Sequence, residues 1–287
     1  MFIKKNQTKS STKAIALRRA TLHHLDMVGR AKRKRWVIKA GSNMVCSGGP
    51  LLLRSWSMQI QQLKRDFNIE VIWVTSGAIA SARERLNNNL NRKKTLRLSE
   101  KQALSAIGQP VVMEIYNMAL QAEGLKGAQI LLTYDDLSNL KRRSNLKNTL
   151  ETLLNWDVIP ILNENDTVAT DEIKFGDNDS LSARVAIHLK ADRLVILTDV
   201  QGLYSADPNK KPEAKLISHL TTITKKDLQQ PGLRSGGSRG TGGMYSKLLA
   251  AQLASKNGIE TFLVKGDLPS VLLDLAKGIN HGTRIKA

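Results

Sequence analysis

A dense cluster of acids and amides occupies residues 163–180, which read NENDTVATDEIKFGDNDS. The cluster stands out because the 287-residue chain carries a formal net charge of +19 at pH 7. The preceding run VIPIL predicts a strand, and the following run LSARVAIHL predicts a helix. A solvated acidic tail would lie at a chain end and would lack such apolar neighbours. The position of the cluster between two core elements therefore indicates a functional site.

Two lysines lie where they could bind phosphate. Lys247 follows the glycine-rich segment SGGSRGTGG, residues 235–243, and falls about one turn into a predicted helix. Glycines let the backbone approach a ligand closely, and the amides at a helix start bind anions. Lys39 ends the first predicted strand and is followed by Gly41 and Ser42. Two positive charges around a phosphoryl group would suit phosphoryl transfer. The alternatives are a flexible surface loop and a lysine that points to solvent.

Polar residues also follow other predicted strands. Ser76 lies in a strand-to-helix turn that could bind a phosphate or a carboxylate. Thr198 and Asp199 follow the run LVIL and could hold a nucleotide or only turn the chain. Ligands of parallel α/β sheets bind beyond the carboxyl ends of the strands. We therefore expect these residues, Lys39 and residues 163–166 to converge on one edge of the sheet.

Strand-like and helix-like segments alternate along the chain. Six apolar runs predict strands that begin near residues 36, 71, 128, 158, 194 and 261. Segments of helical period cover residues 99–121, 144–156, 178–190 and 244–257, and Ser99 with Gln102 predicts a capping box. This alternation predicts an α/β fold, a three-layer α/β/α sandwich with a mostly parallel central sheet. We expect one domain with two lobes over residues 36–287.

The composition disfavours several classes of protein. Cys46 is the only cysteine, so no intramolecular disulfide can form, and five scattered histidines disfavour a histidine-built metal site. Aromatic residues make up 4% of the chain, which disfavours nucleic-acid binding by stacking. No apolar stretch of the leader is long enough for a signal peptide or a membrane span. We expect a cytoplasmic protein that contacts no membrane.

Residues 1–35 form a basic leader with eleven Lys/Arg residues and a single acid, Asp26. We predict that this leader is disordered or reflects an upstream start codon, with Met27 as the true first residue. A transit peptide and a functional basic arm are the alternatives. The overall positive charge would fit nucleic-acid binding, but a solvated basic surface is the simpler interpretation, so nucleic acid is not the expected partner.

An ordered set of motifs resembles the glutamate 5-kinases of the amino acid kinase family. The motifs are IKAGSNMV, VTSGAIA, KQALSAIGQ, ILLTYDDL, ILNENDTVAT, IKFGDNDSLSA, LTDVQGLYSADP and GTGGMYSKLLAAQLA. The resemblance extends from about Trp36 to the C terminus and implies the amino acid kinase fold. It also implies that ATP phosphorylates the side-chain carboxylate of L-glutamate to L-glutamyl 5-phosphate, the first step of proline biosynthesis. Magnesium would accompany ATP, so no metal site built by the protein is expected.

The resemblance implies roles for individual residues. Lys39 and Lys247 would stabilise the transferring phosphoryl group, and Asp179 would orient both lysines. Asp166 would receive the α-ammonium group of glutamate, and Asn178 would donate to a carboxylate. The N-terminal lobe would bind glutamate through Ser76, Asp166 and Asn178. The C-terminal lobe would bind ATP, and the matching residues are Lys39, Thr198, Asp199, Thr241, Gly242, Gly243, Met244, Tyr245, Ser246 and Lys247.

Some features depart from the family pattern. Asn43, Ala82 and Ser246 stand where a small hydroxyl residue, a glycine and a threonine are usual. None of them removes a proposed catalytic group, so we expect activity. The chain ends at Ala287, so we expect no C-terminal PUA domain. The family further implies a homo-oligomer, a dimer or a tetramer, and feedback inhibition by proline. A related kinase such as acetylglutamate kinase and a basic nucleic-acid-binding protein are the competing interpretations.

Overall fold

The structure is a computed structural model that describes residues 33–86, 96–169, 178–208, 210–229 and 243–287. The chain divides into two units, Met1–Arg33 and Lys34–Ala287, and the second unit contains the sheet and the helices. Residues 1–32 of the predicted leader lie outside the described residues. Residues 170–177 of the acidic cluster, and Thr241 and Gly242, lie outside them as well.

The described residues form one eight-stranded sheet with the strand order β3-β4-β2-β1-β5-β7-β8-β6. The strands are β1 Lys34–Ala40, β2 Ile69–Val74, β3 Lys126–Leu132, β4 Val158–Glu164, β5 Arg193–Thr198, β6 His219–Leu220, β7 Glu260–Lys265 and β8 Thr283–Ile285. Neighbouring strands are parallel except for β7 and β8, which are antiparallel. All six strands expected from the apolar runs are present.

Helices connect most of the strands. They are α1 Ser42–Phe67, α2 Ala78–Leu86, α3 Leu98–Gln121, α4 Tyr134–Ser138, α5 Leu140–Asn155, α6 Asn178–His188, α7 Lys225–Leu228, α8 Met244–Ser255 and α9 Val271–Ala276. The longest of these, α1, is kinked at Gly49, whose positive φ of 54° precedes Pro50. None of the helices in the described ranges is long and apolar enough to span a membrane.

Two hydrophobic cores lie on opposite faces of the sheet. On one face, Trp36 and Ile38 of β1 pack with apolar side chains of α1, α3 and α9. On the other face, Val37 of the same strand packs with apolar side chains of α5, α6 and α8. The continuous apolar run of β1 is explained by this burial on both sides. The predicted three-layer α/β/α sandwich with a mostly parallel sheet is therefore confirmed.

The structure corrects two local expectations. Helix α3 begins at Leu98, and the backbone N–H of Arg97 donates to the Glu100 side chain at 2.8 Å. The capping box therefore pairs Arg97 with Glu100, and Ser99 lies inside the first turn of α3. Strand β1 begins at Lys34, inside the predicted leader, because Arg35 is held by Glu70 and Glu151 at 2.6 and 2.8 Å.

The order of the strands positions the site. Strands β4, β2, β1 and β5 are consecutive neighbours and run parallel, so their carboxyl ends meet at one edge of the sheet. This edge carries Glu164, Thr75, Gly41 and Asp199, each within one residue of a strand end. The convergence predicted from the sequence is thus found, since all of the polar segments after these strands share one edge.

Candidate functional site

A buried carboxylate joins the two lysines that the sequence singled out. Asp179, in the first turn of α6, contacts Lys39 Nζ at 2.5 Å through one oxygen and Lys247 Nζ at 3.2 Å through the other. Asp179 is completely buried, and Lys39 and Lys247 are 4% and 8% exposed. We call Lys39, Asp179 and Lys247 the lysine clamp. Its members come from three elements, β1, α6 and α8.

The carboxyl group of the clamp is ionised over the whole physiological range. Burial alone would raise the pKa of Asp179, because desolvation disfavours the charged form. The charges of Lys39 and Lys247, with hydrogen bonds from Lys39 and Ser246, outweigh burial and lower this pKa to about 2. Asp179 is therefore a permanent anion with both oxygens engaged, which suits a positioning group and does not suit a general base.

Helix α8 brings a second polar group to the clamp. Ser246 Oγ lies 2.8 Å from Asp179 Oδ2 and 2.9 Å from the carbonyl oxygen of Gly243. The serine that replaces the usual threonine therefore keeps the hydroxyl at the carboxylate. Gly243 has extended backbone geometry before α8, and no side chain of the described residues caps that helix. The N terminus of α8 thus adds the positive end of a helix dipole close to two lysines.

Asn178 lies at the centre of the second cluster of polar side chains, at the start of α6. Its Nδ2 donates to the Thr75 carbonyl at 2.6 Å, and it also lies 2.8 Å from Ser76 Oγ and 2.7 Å from Asn163 Oδ1. Its Oδ1 is buried and has no hydrogen-bond partner among the described residues. The amide nitrogen expected to donate to a carboxylate is therefore already engaged by protein groups.

The turn after β4 places Asp166 beside helix α3. Ser105 Oγ lies 3.2 Å from Asp166 Oδ2, and Gln102 Nε2 donates to the carbonyl of Ala169 at 3.2 Å. Asp166 is partly buried in this turn. The same helix face thus holds both ends of the segment that links Asp166 to Ala169.

Thr198 and Asp199 end the neighbouring strand β5. Thr198 Oγ1 lies 3.2 Å from one oxygen of Asp199, and Asn43 Nδ2 donates to the other oxygen at 3.3 Å. The register pairs Lys39 with Ile196, so Thr198 and Asp199 follow two and three residues after the partner of the clamp lysine. Asn43, which departs from the family pattern, therefore ties the start of α1 to the end of β5.

Helix α3 contributes site residues that were not identified from the sequence. Gln109 is 6% exposed, and its Oε1 accepts a hydrogen bond from Asn163 Nδ2 at 2.8 Å. Tyr116 is buried, its hydroxyl lies 3.0 Å from Thr75 Oγ1, and burial raises the pKa of Tyr116. Both residues lie inside a long helix, so only their polarity on a core-facing side could have signalled their role.

The donor groups at this edge suit a polyanionic ligand. Two lysines, a serine hydroxyl and a helix N terminus converge at the clamp, and these are the groups that bind phosphate oxygens. No group of three or more His, Cys, Asp or Glu side chains within the described ranges could hold a metal ion. The arrangement can position an anionic phosphoryl group and neutralise its charge.

Comparison with known proteins agrees with this chemistry. Residues 34–265 match the amino acid kinase family. The chain is 42% identical over 256 residues to the glutamate 5-kinase of Hydrogenovibrio crunogenus, and the match covers 88% of this chain and 67% of that protein. It is 44% identical over 257 residues to the glutamate 5-kinase of Chromobacterium violaceum, with 88% and 68% covered.

Solved structures share the fold at low sequence identity. Carbamate kinase from Giardia lamblia bound to AMP-PNP is 16% identical with a TM-score of 0.64, and the match covers 90% of this chain and 99% of that one. Isopentenyl phosphate kinase from T. acidophilum is 15% identical with a TM-score of 0.60, with 88% and 100% covered. These structural similarities establish the fold, and the 42–44% identity to glutamate 5-kinases establishes the group within the family. The chain belongs to the amino acid kinase family and, within it, to the glutamate 5-kinases.

Proposed function

We propose that this protein transfers the γ-phosphoryl group of ATP to the side-chain carboxylate of L-glutamate. The products are L-glutamyl 5-phosphate and ADP, and the reaction is the first step of proline biosynthesis. The observation that carries the proposal is the lysine clamp, in which Asp179 holds Lys39 and Lys247 at 2.5 and 3.2 Å. Its presence in a chain more than 40% identical to glutamate 5-kinases supports this substrate.

The reaction needs positioning and charge neutralisation more than it needs proton transfer. The γ-carboxylate of glutamate is already ionised, so one of its oxygens attacks the γ-phosphorus without a base. A bond forms between this carboxylate oxygen and the γ-phosphorus. The bond between the γ-phosphorus and the β,γ-bridging oxygen breaks at the same time, and ADP leaves with that oxygen. Lys39 and Lys247 neutralise the negative charge on the phosphoryl oxygens, as cationic groups do in other phosphoryl-transfer enzymes. Asp179 holds both amines in place.

The two substrates occupy neighbouring parts of the sheet edge in this proposal. Glutamate lies against Ser76, Asp166 and Asn178, at the ends of β2 and β4. ATP lies beyond the ends of β1 and β5, and the proposed contacts are Lys39, Thr198, Asp199 and the segment Thr241–Lys247. Mg²⁺ would enter with ATP and would help to neutralise the charge of its phosphates. Strands β2 and β1 are neighbours, so the proposed glutamate and ATP sites would lie next to each other. This adjacency supports in-line transfer between the two substrates.

A hydroxylamine-trapping assay tests the proposal. Purified protein with ATP and Mg²⁺ is incubated with and without L-glutamate, and the acyl phosphate is captured as a hydroxamate. Hydroxamate that depends on glutamate is the expected result. Product from N-acetylglutamate or aspartate alone would assign the protein another substrate within the family. A folded sample that yields no product but binds DNA with a steep salt dependence would favour the nucleic-acid interpretation.

Assembly, regulation and location form the remainder of the proposal. We propose a homo-oligomer, a dimer or a tetramer, which the exposed apolar side chains Met58, Ile107 and Met118 on α1 and α3 support. Light scattering during gel filtration measures its size. We also propose feedback inhibition by proline, measured in the hydroxamate assay, and a cytoplasmic location. The single free cysteine is compatible with that reducing compartment.

A further inference from the structure

A chain of side-chain amides runs from the exposed edge strand β3 to the start of helix α6. We call it the amide relay, and its members are Gln129, Gln109, Asn163 and Asn178. We propose that this relay turns the carbonyl oxygen of Asn178 toward the substrate, where it accepts a hydrogen bond from the α-ammonium group of glutamate. Gln109 acts in this proposal as a positioning residue. The inference rests on the proposed glutamate kinase activity and specifies which atom recognises which substrate group.

All hydrogen bonds of the relay point the same way. Asn178 Nδ2 donates to Asn163 Oδ1 at 2.7 Å, and Asn163 Nδ2 donates to Gln109 Oε1 at 2.8 Å. Gln109 Nε2 in turn donates to Gln129 Oε1 at 3.0 Å. Each inner amide therefore donates through its nitrogen on the side of β3 and accepts through its oxygen on the side of α6. The last group in the series, at the start of α6, is the oxygen of Asn178.

Backbone groups fix this direction, because a peptide N–H or carbonyl cannot exchange its role. The N–H of Glu164 donates to Asn163 Oδ1 at 2.9 Å, so this atom must be the oxygen. The carbonyl of Thr75 accepts from Asn178 at 2.6 Å, so that atom must be the nitrogen. A rotation of either amide by 180° would bring two donors or two acceptors together. The orientation thus follows from the main chain and does not depend on how each amide is assigned.

The oxygen of Asn178 is left as a buried acceptor. It has no hydrogen-bond partner among the described residues, and such a buried acceptor is unfavourable unless a donor reaches it. Both carboxylates of glutamate and the phosphates of ATP are acceptors. The α-ammonium group is the only cationic donor among these substrates. The free oxygen therefore matches the ammonium group and does not match a carboxylate.

Gln109 is the member that holds the relay together. It is 6% exposed, and the adjacent Asn163 is 2% exposed, so water has little access to either amide. Without Gln109, the nitrogen of Asn163 would lose its acceptor in a buried setting. Asn163 would then move to find another acceptor, and its contact with Asn178 would loosen. This task would explain why a buried glutamine lies on the core-facing side of α3.

Substrate analogues separate the two possible roles of Asn178. Glutarate lacks the α-ammonium group, and isoglutamine has an amide in place of the α-carboxylate. The measured quantities are the kcat/KM ratios of glutamate to glutarate and of glutamate to isoglutamine. In N178A the first ratio should fall by roughly tenfold or more, because a hydrogen bond to a charged group is lost. The second ratio should stay within about twofold.

Variants of Gln109 test the positioning role. Q109L should lower the glutamate-to-glutarate ratio while the KM for ATP stays unchanged. Q109E keeps an acceptor for Asn163 and should restore the wild-type ratio. Gln61 of α1, which donates to the Glu123 carbonyl at 3.0 Å, lies outside the relay, so Q61L is the matched control and should change neither ratio. Thermal unfolding confirms that each variant is folded.

Two outcomes would overturn the inference. In N178A, a fall in the glutamate-to-isoglutamine ratio with an unchanged glutamate-to-glutarate ratio would show that Asn178 recognises the α-carboxylate. That result would overturn the inference. Q109L and Q109E with equal ratios would refute the positioning role. If Q109L does not fold, N178A still tests the direction, because Asn178 starts a helix and is only partly buried. A wild-type protein that makes no glutamyl hydroxamate would instead refute the proposed function itself.

Discussion

Replacing Asp179 by asparagine removes the only negative charge of the lysine clamp while keeping the size of the side chain. Asp179 is completely buried and lies 2.5 Å from Lys39 and 3.2 Å from Lys247. Loss of one partner from a buried ion pair costs about 3–5 kcal/mol, because the remaining charge is left without compensation. D179N should therefore lower the free energy of unfolding at pH 7 by about that amount.

The pH dependence gives an independent measure of the same interaction. The pKa of Asp179 is lowered from 3.8 to about 2 in the folded protein, which corresponds to about 2 kcal/mol of stabilisation. Because the folded-state pKa is the lower one, this stabilisation is present above about pH 4. It is lost as the pH falls from about 4 to about 2. The stability difference between wild type and D179N should shrink over the same interval.

Urea unfolding at pH 7, 5 and 3 measures both effects, and the hydroxamate assay measures turnover. We expect kcat of D179N to fall by about 10²–10³-fold, because both amines lose their fixed positions. Lys265 and Asp267 form a surface pair at the same 3.2 Å separation, so D267N is the matched control and should cost under about 1 kcal/mol. A D179N protein within about 1 kcal/mol of wild type and within threefold in kcat would refute the clamp.

Three further predictions concern single residues. K247A should lower kcat by about two orders of magnitude or more, corresponding to roughly 2.7–4 kcal/mol, and turnover within about threefold of wild type would contradict its role. D166A should mainly raise the KM for glutamate, and an unchanged KM in initial-rate assays would count against substrate contact. G108A should destabilise the fold by several kcal/mol in urea unfolding, because a Cβ there would lie 1.7 Å from the carbonyl oxygen of Ala78. An unchanged unfolding midpoint would show that α2 and α3 can separate at low cost.

Apolar patterns predicted the layers of the fold better than its edges. The six principal strands give continuous apolar runs because both faces of the sheet are covered. β6 and β8 have two and three residues, and so short a strand leaves no periodic pattern. Helix α1 was not among the predicted helical segments, and Gly49 and Pro50 are residues that normally end a helix. Here they produce a kink, and the helix continues to Phe67.

The chemical groups of the site could be predicted, but their contacts could not. Sequence spacing cannot show that Lys39, Asp179 and Lys247 meet at one carboxylate, because three separate elements supply them. The resemblance to a family indicated this grouping in advance. The sequence alone could not show how the Asn178 amide is oriented, since an amide can donate or accept equally well. The Thr75 carbonyl, brought close by β2, identifies the atom beside it as the nitrogen.

One residue of the acidic cluster, the buried Asp179, has a physical reason to be present in a strongly basic chain. Two buried ammonium groups would repel each other and would be costly to desolvate without an anion between them. Asp179 offsets one of the two charges, so the clamp keeps one net positive charge in a nearly dry environment. An electrostatic field that is already oriented before the nucleotide binds needs no reorganisation during transfer. In the proposed reaction, the carboxylate would serve catalysis by fixing the lysines, and burial would strengthen the effect of their remaining charge.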